Sequence, residues 1–383
     1  MAVAGPLSGI TIVDLTRVLA GPYCTLILAD LGARVIKVEQ PEIGDLARSV
    51  GPWLNGKSGY FLSVNRGKES IALDLKNEDD RGILHRRLAR ADIVVENYRP
   101  GVMEKLGLGY DELHARHPKL IYAATSGFGQ GGPYASYAAF DVIAQAMGGL
   151  MSITGHPGTP PTRVGTSIGD IAAALFTAVG INAALFHRER TGEGMKIDVA
   201  MLDCQVALTE NAIVRYFATG ESPGPIGARH PSVAPFDAYR AKDRFFVIAV
   251  IDDPSYRKLC TALGRTDLAD DPRFATTRAR DENESALKDE LTAVLAAKTA
   301  AEWIAILREA GVACGPINTI EDVVNDPQVA ARNMIVEVED SRAGTVRLFG
   351  CPIKMSSFDD PHLRAGAPDL DGDRERILRE LRD

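Results

Sequence analysis

The sequence predicts an α/β protein with a large domain built on a Rossmann-like parallel sheet and a smaller α+β domain. Strand-like apolar runs alternate with helix-like segments through the first half. A chain of 383 residues is long for a single core, and the Gly/Pro-rich stretch 219–235 interrupts the alternation. We therefore expect a large domain over 1–215, a small domain over 226–325, and a C-terminal segment, 330–383, that returns to the large domain.

The first elements follow a strand–helix–strand order. ITIVDL (10–15) predicts a strand, TRVLAGP (16–22) a turn, YCTLILADLG (23–32) a helix, and ARVIKVE (33–39) a second strand. The pattern repeats with SIALDL, a charged helix near DDRGILHRRLARA, DIVVENY and KLIYAATSGFG. Ligands of such sheets collect beyond the carboxyl ends of the strands. TRVLAGP, NYRPG and TSGFGQGGP are predicted to lie there.

The second half begins with an apolar helix after Asp170. Gly180 and Asn182 interrupt this helix, so we expect it to fall short of the ~20 residues of a membrane span. RTGEGMKIDVAMLD then predicts a turn, a strand and a helix. FFVIAV predicts a strand of the small domain, whose helices are expected near PSYRKLCTALG, ESALKDELTAVLAAK and AAEWIAILREAG. The region from VEVED to IKMSS predicts further strands.

Charge and composition exclude several classes of protein. The net charge is −8 and the pI is near 5.5, which argues against a nucleic-acid-binding protein. Five widely spaced cysteines and seven scattered histidines form no zinc or disulfide pattern. The N-terminal segment lacks the basic start of a signal peptide. We expect a cytoplasmic protein that binds no metal and no membrane.

One glycine-rich segment suggests a nicotinamide or flavin site. Gly127, Gly129 and Gly132 match G-x-G-x-x-G after a predicted strand. Pro133 and YASY follow where that fingerprint requires the start of a helix. We therefore favour a flexible loop over a dinucleotide site.

Asp170 stands alone among small residues at the start of the apolar helix. One interpretation is structural, because Asp is a preferred helix N-cap. The other is chemical, because a helix N-terminus favours an ionised carboxylate by roughly 0.3–1 kcal/mol and small neighbours leave room for an activated acyl group. Both remain open on the residues alone.

Basic residues gather at predicted strand ends of the first half. In an acidic protein, such a cluster at the carboxyl ends of a parallel sheet predicts a phosphate-bearing ligand. The residues are Arg17, Lys37, Arg66, Lys68, Lys76, Arg99 and Lys105.

These segments together resemble a known family, the class III CoA-transferases, which include formyl-CoA transferase and carnitine CoA-transferase. The resemblance covers nearly the whole chain and is carried by LSGITIVDLTRVLAGPYCTLILADLGARVIKVEQP, YFLSVNRGKESIALDLK, ADIVVENYRPGVMEKLGL, SGFGQGGPY, VGTSIGDIAAALF, GEGMKIDVAMLD and GVACGPINTIEDVVNDPQV. GARHPSVAPFDAYRAKDRFFVIAV and DPQVAARNMIVEVED look nearest to the succinyl-CoA-dependent branch that uses dicarboxylates.

The resemblance implies transfer of CoA from an acyl-CoA to a small carboxylic acid. Asp170 matches the family's nucleophile, which forms a mixed anhydride and then an aspartyl-CoA thioester. CoA is a substrate, and no permanently bound cofactor is implied. The family forms homodimers of interlocked rings, so self-association is expected as well.

The family's CoA contacts carry over to several positions. Val18, with Arg17 beside it, matches one contact, and Leu73 and Lys76 match the adenine side. Asn97 matches another contact, Lys105 replaces an Arg, and Arg99 is a phosphate partner nearby. Gln40 replaces an Arg, so that contact is not carried over.

Two departures from related sequences and one open assignment bear on the alternatives. An α-methylacyl-CoA racemase has a His where this chain has Phe140, next to Asp141. The glycine-rich cover of formyl-CoA transferase is replaced by Ile251-Asp252. The cation for a dicarboxylate is undecided among Arg163, Arg229 and His230. Racemase activity, which Phe140 disfavours, and a non-catalytic CoA-binding role are the alternative functions.

Overall fold

The computed structural model describes residues 5–382, which form two compact units. The first unit runs to Ser152, resumes over Arg163–Ser222 and ends with the segment from Pro327. The second unit consists of Ile153–Thr162 and Pro223–Asp326. Ile153–Thr162 lies inside the sequence-based range 1–215, yet it packs with the second unit, where the Gly227 N–H donates to the Gly155 carbonyl at 2.8 Å.

The first unit contains a six-stranded sheet in which every pairing is parallel. Its strands, in spatial order, are Glu69–Ala72, Arg34–Glu39, Thr11–Asp14, Ile93–Glu96, Ile121–Ser126 and Lys196–Ala200. Counted along the chain, this order is 3-2-1-4-5-6, the arrangement of dinucleotide-binding folds. The predicted α/β class and parallel sheet are confirmed.

Helices cover both faces of this sheet. Up to Ser222, the helices are Ala20–Asp30, Gly59–Asn65, Glu78–Leu88, Val102–Lys105, Tyr110–Arg116, Asp141–Met147, Leu150–Ile153, Ile168–Thr191, Met201–Leu208 and Glu210–Thr219. A 3₁₀ turn lies at Leu46–Ser49. Small buried residues such as Ala174, Ala178 and Ala184 let the long helix Ile168–Thr191 pack closely against the sheet and against Ala20–Asp30.

The prediction that this long helix is too short to span a membrane is wrong. It has 24 residues and a mean hydropathy of 1.7, so by length and composition it is the one candidate span within residues 5–382. The helix continues through Gly180. A Cβ at this position would lie 3.0 Å from the Ile197 side chain, so the glycine lets the helix pack closely against that strand. Asn182 is tolerated because its amide donates to the Ala178 carbonyl at 2.8 Å. The buried face of the helix belongs to the core of the first unit, and core helices pass the same test.

The second unit is α+β. Its antiparallel sheet has the strand order Ala313–Pro316, Phe245–Ala249, Phe236–Arg240. Phe246 and Ile248 of the central strand are fully buried against Leu259, Leu291 and Leu307. The helices that supply those residues and their neighbours are Asp253–Leu263, Thr266–Asp270, Thr277–Glu282, Glu284–Leu295, Ala300–Glu309 and Ile320–Val324.

The chain from Pro327 adds a second, smaller sheet to the first unit. After the short helix Pro327–Ala331, strand Ile335–Asp340 pairs with Gly344–Phe349 and Leu363–Ala365. The Lys57 ammonium, in a hairpin of Trp53–Leu54 and Lys57–Ser58, pairs with Asp340 at 2.7 Å. The last helix, Arg374–Glu380, is tied to the edge of the parallel sheet, because Arg34 binds both Glu69 and Glu380 at 2.8 Å.

Candidate active site

The loops after the two central strands of the parallel sheet meet at its carboxyl edge. These strands, Thr11–Asp14 and Ile93–Glu96, are neighbours in space from which the chain winds in opposite directions. The Arg17 N–H donates to Asn97 Oδ1, and Asn97 Nδ2 donates to the Arg17 carbonyl, both at 2.8 Å. Because ligands of such sheets bind at this switch point, the contact marks the expected site.

Two neighbouring cavities open around this contact. The first has a volume of about 400 Å³ and is lined by Arg17, Val18, Leu19, Ala20, Leu46, Asn97, Tyr98, Arg99, Val102, Thr125, Ser126, Gly127, Ala139, Phe140, Asp170 and Met201. The second, of about 510 Å³, is lined by residues that include Thr16, Gln40, Asp45, Leu73 and Lys76. Arg17, Tyr98 and Val102 line both. The pair suits an elongated ligand whose reactive end reaches the first cavity.

The predicted site residues divide between these cavities. Arg17, Val18, Asn97, Arg99 and Asp170 line the first. Leu73 and Lys76 line the second. Lys105 lines neither cavity and is an exposed residue at the end of helix Val102–Lys105.

Four of the seven basic residues are available to an anion. Arg17, Lys76, Arg99 and Lys105 are exposed, and within residues 5–382 none of them has an ion pair. The Arg17 guanidinium also lies 4.4 Å from the centre of the Tyr98 ring. A phosphate-bearing ligand would meet these charges without displacing a protein carboxylate.

The other three basic residues of the predicted cluster, Lys37, Arg66 and Lys68, have partners within the protein. Their side chains are buried and paired with aspartates. The pairs are Lys37–Asp45 at 2.9 Å, Arg66–Asp30 at 2.5 Å and Lys68–Asp14 at 3.0 Å. Buried charges require such partners, which a sequence pattern does not reveal.

Asp170 is not the N-cap of the long helix. Ser167 occupies that position, and Asp170 is the third helical residue. Asp141 binds the helix terminus instead, because its Oδ1 accepts the Gly169 N–H at 2.8 Å. Within residues 5–382, no hydrogen bond reaches the Asp170 carboxylate. The Asp170 carboxylate is therefore not held by another group of the described chain.

The environment raises the pKa of Asp170 to about 7. Burial is the larger cause, and the negative charge of Asp141 is the second. Both causes oppose the expected effect of the helix N-terminus, which favours the ionised form. With a pKa near 7, roughly half of the molecules carry an ionised Asp170 at neutral pH.

Asp141 is a second acid whose role the sequence did not reveal. It is buried, and its Oδ2 accepts a hydrogen bond from Gln145 Nε2 at 2.8 Å and faces Arg163 at 3.5 Å. Gln145 Oε1 accepts the Val164 N–H at 2.9 Å, which holds the chain that leads into the long helix. Asp141 and Gln145, four residues apart at the start of a helix, are the signal that could have indicated this network.

Tyr60 was also missed. The pKa of its hydroxyl is raised to about 12, first by burial and then by the negative charges of Asp170, Asp45 and Asp141. Tyr60 therefore lies within the electrostatic influence of these three carboxylates.

A sequence comparison with known families shows to which family the chain belongs. Residues 7–374 match the model of CoA-transferase family III.

The chain belongs to CoA-transferase family III.

Relatives of this CoA-transferase can be aligned with it over almost its whole length. It is 48% identical to "Acetyl-CoA:oxalate CoA-transferase" of Acetobacter aceti, with 98% of this chain and 96% of that protein aligned. It is 42% identical to "Succinyl-CoA:mesaconate CoA-transferase" of Haloarcula hispanica, with the same coverage. The crystal structure of a CaiB/BaiF family protein from Brucella suis is 40% identical, superposes with a TM-score of 0.86, and covers 99% of this chain and 100% of that one. The predicted family and the predicted enzyme class are confirmed, and CoA thioesters are the substrates.

The glycine-rich loop of this CoA-transferase lacks the feature that a dinucleotide site requires. Gly127 lines the Asp170 cavity, and the chain from Gly127 to Phe140 contains no helix. Within residues 5–382, no three His, Cys, Asp or Glu side chains gather to hold a metal ion. All five cysteines are free.

Two candidates for binding a dicarboxylate are engaged within the second unit. Arg229 pairs with Asp281 at 2.9 Å, and His230 accepts the Ser232 N–H at 3.2 Å. Ile251-Asp252 replaces the glycine-rich cover of formyl-CoA transferase, and Asp252 has a structural role there. It caps helix Asp253–Leu263 by accepting the Ser255 N–H at 2.7 Å.

Proposed function

We propose that this CoA-transferase moves CoA from an acyl-CoA donor to a small dicarboxylic acid through a thioester on Asp170. One observation carries the proposal. Asp170, whose carboxylate accepts no hydrogen bond from the described part of the chain, lines a cavity of about 400 Å³ that shares three residues with a cavity bearing Lys76 and Leu73. This arrangement offers a nucleophile at one end and a basic, partly apolar site at the other.

The chemistry needs one carboxylate and balances without an oxidant or a metal. Asp170 attacks the donor thioester carbonyl, forming a mixed anhydride and releasing CoA thiolate. The thiolate attacks the aspartyl carbonyl, which gives the aspartyl-CoA thioester and releases the donor acid. The acceptor carboxylate attacks this thioester and forms a second anhydride, and the thiolate then takes the acceptor acyl group. Asp170 leaves as the free carboxylate.

The proposed CoA site extends from the second cavity to the first. Lys76 and Arg99 are exposed cations that form no ion pair with any residue between 5 and 382, so they suit the phosphates. Leu73 is buried at the other end and suits the adenine side. Arg17, Val18 and Asn97 line the cavity that contains Asp170. Lys105 is an exposed cation at the end of helix Val102–Lys105, whose first residue lines both cavities.

The acceptor class has firmer support than the donor. Oxalate and mesaconate, in the two relatives' names, are both dicarboxylates, whereas the named donors are acetyl-CoA and succinyl-CoA. We choose succinyl-CoA as the donor on the resemblance to the succinyl-CoA-dependent branch. For the distal carboxylate we choose Arg163, which is half-exposed and lies 3.5 Å from Asp141, the acid whose charge reaches Asp170.

Self-association completes the proposal. The long helix exposes large apolar side chains, with Val179 and Phe186 each 66% exposed and Leu175 and Phe176 nearly half exposed. A patch of this kind is typical of an interface, and a second copy of the chain, in an interlocked homodimer, is the proposed cover. We place the dimer in the cytoplasm. Native mass spectrometry tests the dimer directly.

The function is tested by incubating the protein with acetyl-CoA or succinyl-CoA and a panel of acids, and separating the CoA esters by chromatography. Oxalate, mesaconate and glutarate are compared with monocarboxylates of similar size. Asp170→Asn should abolish every transfer, whereas Asp203→Asn, a matched change at an exposed acid outside both cavities, should not. Transfer that survives Asp170→Asn would refute the proposal. Exchange of an α-proton in deuterium oxide without transfer would instead support a racemase.

A further inference from the structure

The loop between the first strand and the first helix holds a strained residue. Val18 has φ = +67°, in the left-handed region that branched side chains rarely adopt. Gly21 lets the loop lie tightly against the helix, since a Cβ there would sit 2.3 Å from the Thr16 side chain. Val18 lines the cavity that contains Asp170. Strain of this kind persists only where surrounding contacts impose it.

Side chains bind five successive backbone groups of this loop. Asp14 accepts the Thr16 N–H at 2.9 Å, and Lys37 donates to the Thr16 carbonyl at 2.7 Å. Asn97 binds both the N–H and the carbonyl of Arg17. Asp45 then accepts the Val18 N–H, at 3.0 Å through Oδ1 and 3.3 Å through Oδ2. The last of these contacts acts directly on the strained residue.

Asp45 is itself fixed from two sides. It is 1% exposed, and its Oδ2 pairs with the fully buried ammonium of Lys37 at 2.9 Å. Its Oδ1 also accepts the Ala47 N–H at 2.9 Å, as the N-cap of the turn Leu46–Ser49. Leu46 lines the Asp170 cavity. One buried carboxylate therefore holds two walls of that cavity.

We infer that Asp45 is a positioning residue, which holds Val18 in the left-handed conformation and so shapes the cavity at Asp170. Lys37 orients Asp45 and binds the preceding carbonyl. Asp45 has no contact with the reacting atoms in this role. The catalytic part of the inference rests on the proposed function, whereas the conformational part does not.

The test distinguishes two roles of Asp45, which accepts the Val18 N–H and also caps the turn Leu46–Ser49. Asp45→Ser keeps a good N-cap for Leu46–Ser49, but its hydroxyl is too short to serve Val18 and Lys37 as well. Asp45→Ser is made in the wild type, in Val18→Gly and in Val18→Ala. Glycine adopts the left-handed region without cost, while alanine shortens the side chain and keeps the strain.

Asp45→Ser should lower the rate of aspartyl-CoA formation ~5- to ~30-fold in the wild type and in Val18→Ala, which corresponds to about 1–2 kcal/mol for the left-handed conformation. In Val18→Gly the loss should be less than about three-fold, because no strain remains to be held. Asp45→Asn keeps an acceptor for Val18 and should restore most of the rate. An equal loss in all three backgrounds would overturn the inference and leave Asp45 as a helix cap.

Hydrogen–deuterium exchange of a peptide that contains Val18 gives a second readout that needs no catalysis. Asp45→Ser should speed exchange of this amide at least ten-fold in the wild type, and Asp45→Asn should not. Unchanged exchange in Asp45→Ser would also overturn the inference. If exchange behaves as expected but the wild type forms no adduct on Asp170, the proposed function fails and the positioning of Val18 stands.

Discussion

The pH dependence of the first chemical step should follow the ionisation of Asp170. Only the carboxylate is nucleophilic, and burial together with the charge of Asp141 raises the pKa of Asp170 to about 7. The ionised fraction then falls from roughly one half at pH 7 to roughly 1% at pH 5, so the rate of aspartyl-CoA formation should fall ~50-fold. With an ordinary pKa of 3.8, the fraction at pH 5 would still be roughly 94%, and the rate would hardly change.

The assay is a single turnover with succinyl-CoA, quenched in acid and quantified by intact-protein mass spectrometry from pH 5 to pH 9. Asp141→Asn removes the second cause of the shift and keeps an acceptor for the Gly169 N–H. The midpoint should move to lower pH yet stay above 3.8, because burial remains. Asp203→Asn serves as the matched control and should leave the midpoint in place. A rate that is flat between pH 5 and pH 7, or a midpoint that Asp141→Asn does not move, would refute this explanation.

Three further predictions concern stability, acceptor and donor. The fold raises the pKa of Asp170 from 3.8 to about 7, so the wild type loses stability as the pH rises through this range. In thermal unfolding, Asp170→Asn should therefore be more stable than the wild type at pH 8 and equal to it near pH 3. In steady-state assays, Arg163→Ala should raise KM for dicarboxylates roughly ten-fold and leave KM for monocarboxylates unchanged. Arg163→Lys keeps the charge and should raise KM for dicarboxylates less. Equal KM changes for both acid classes would contradict this role. Lys76→Ala should raise KM for the CoA donor several-fold at low salt and less at high salt, and a rise independent of salt would argue against a phosphate contact.

The large-scale fold was predictable because its signals are local and periodic. Apolar runs such as ARVIKVE correspond to the strand Arg34–Glu39, and their alternation with helices led directly to the parallel sheet. The length of the long helix was not predictable in the same way. Gly180 and Asn182 weaken a helix in isolation, but packing against Ile197 and a hydrogen bond to Ala178 compensate.

The candidate site was predictable where chain order brings residues together and unpredictable where folding does. The loops at Arg17 and Asn97 meet because parallel strands end at the same edge. No local pattern shows that Asp141 approaches the helix start at Gly169, or that burial raises the pKa of Asp170. A local sequence pattern also does not distinguish Lys37, which is buried and paired with Asp45, from Lys76, which is exposed. These features depend on which charges the fold removes from water.

The most direct test is to trap the covalent intermediate. The protein is incubated with succinyl-CoA without an acceptor, treated with hydroxylamine, digested and analysed by peptide mass spectrometry, with Asp170→Asn in parallel. The account predicts a CoA adduct that hydroxylamine converts to a hydroxamate on the peptide containing Asp170, and no such product in Asp170→Asn. A modified residue elsewhere, or full transfer to an added dicarboxylate without any Asp170 adduct, would contradict it.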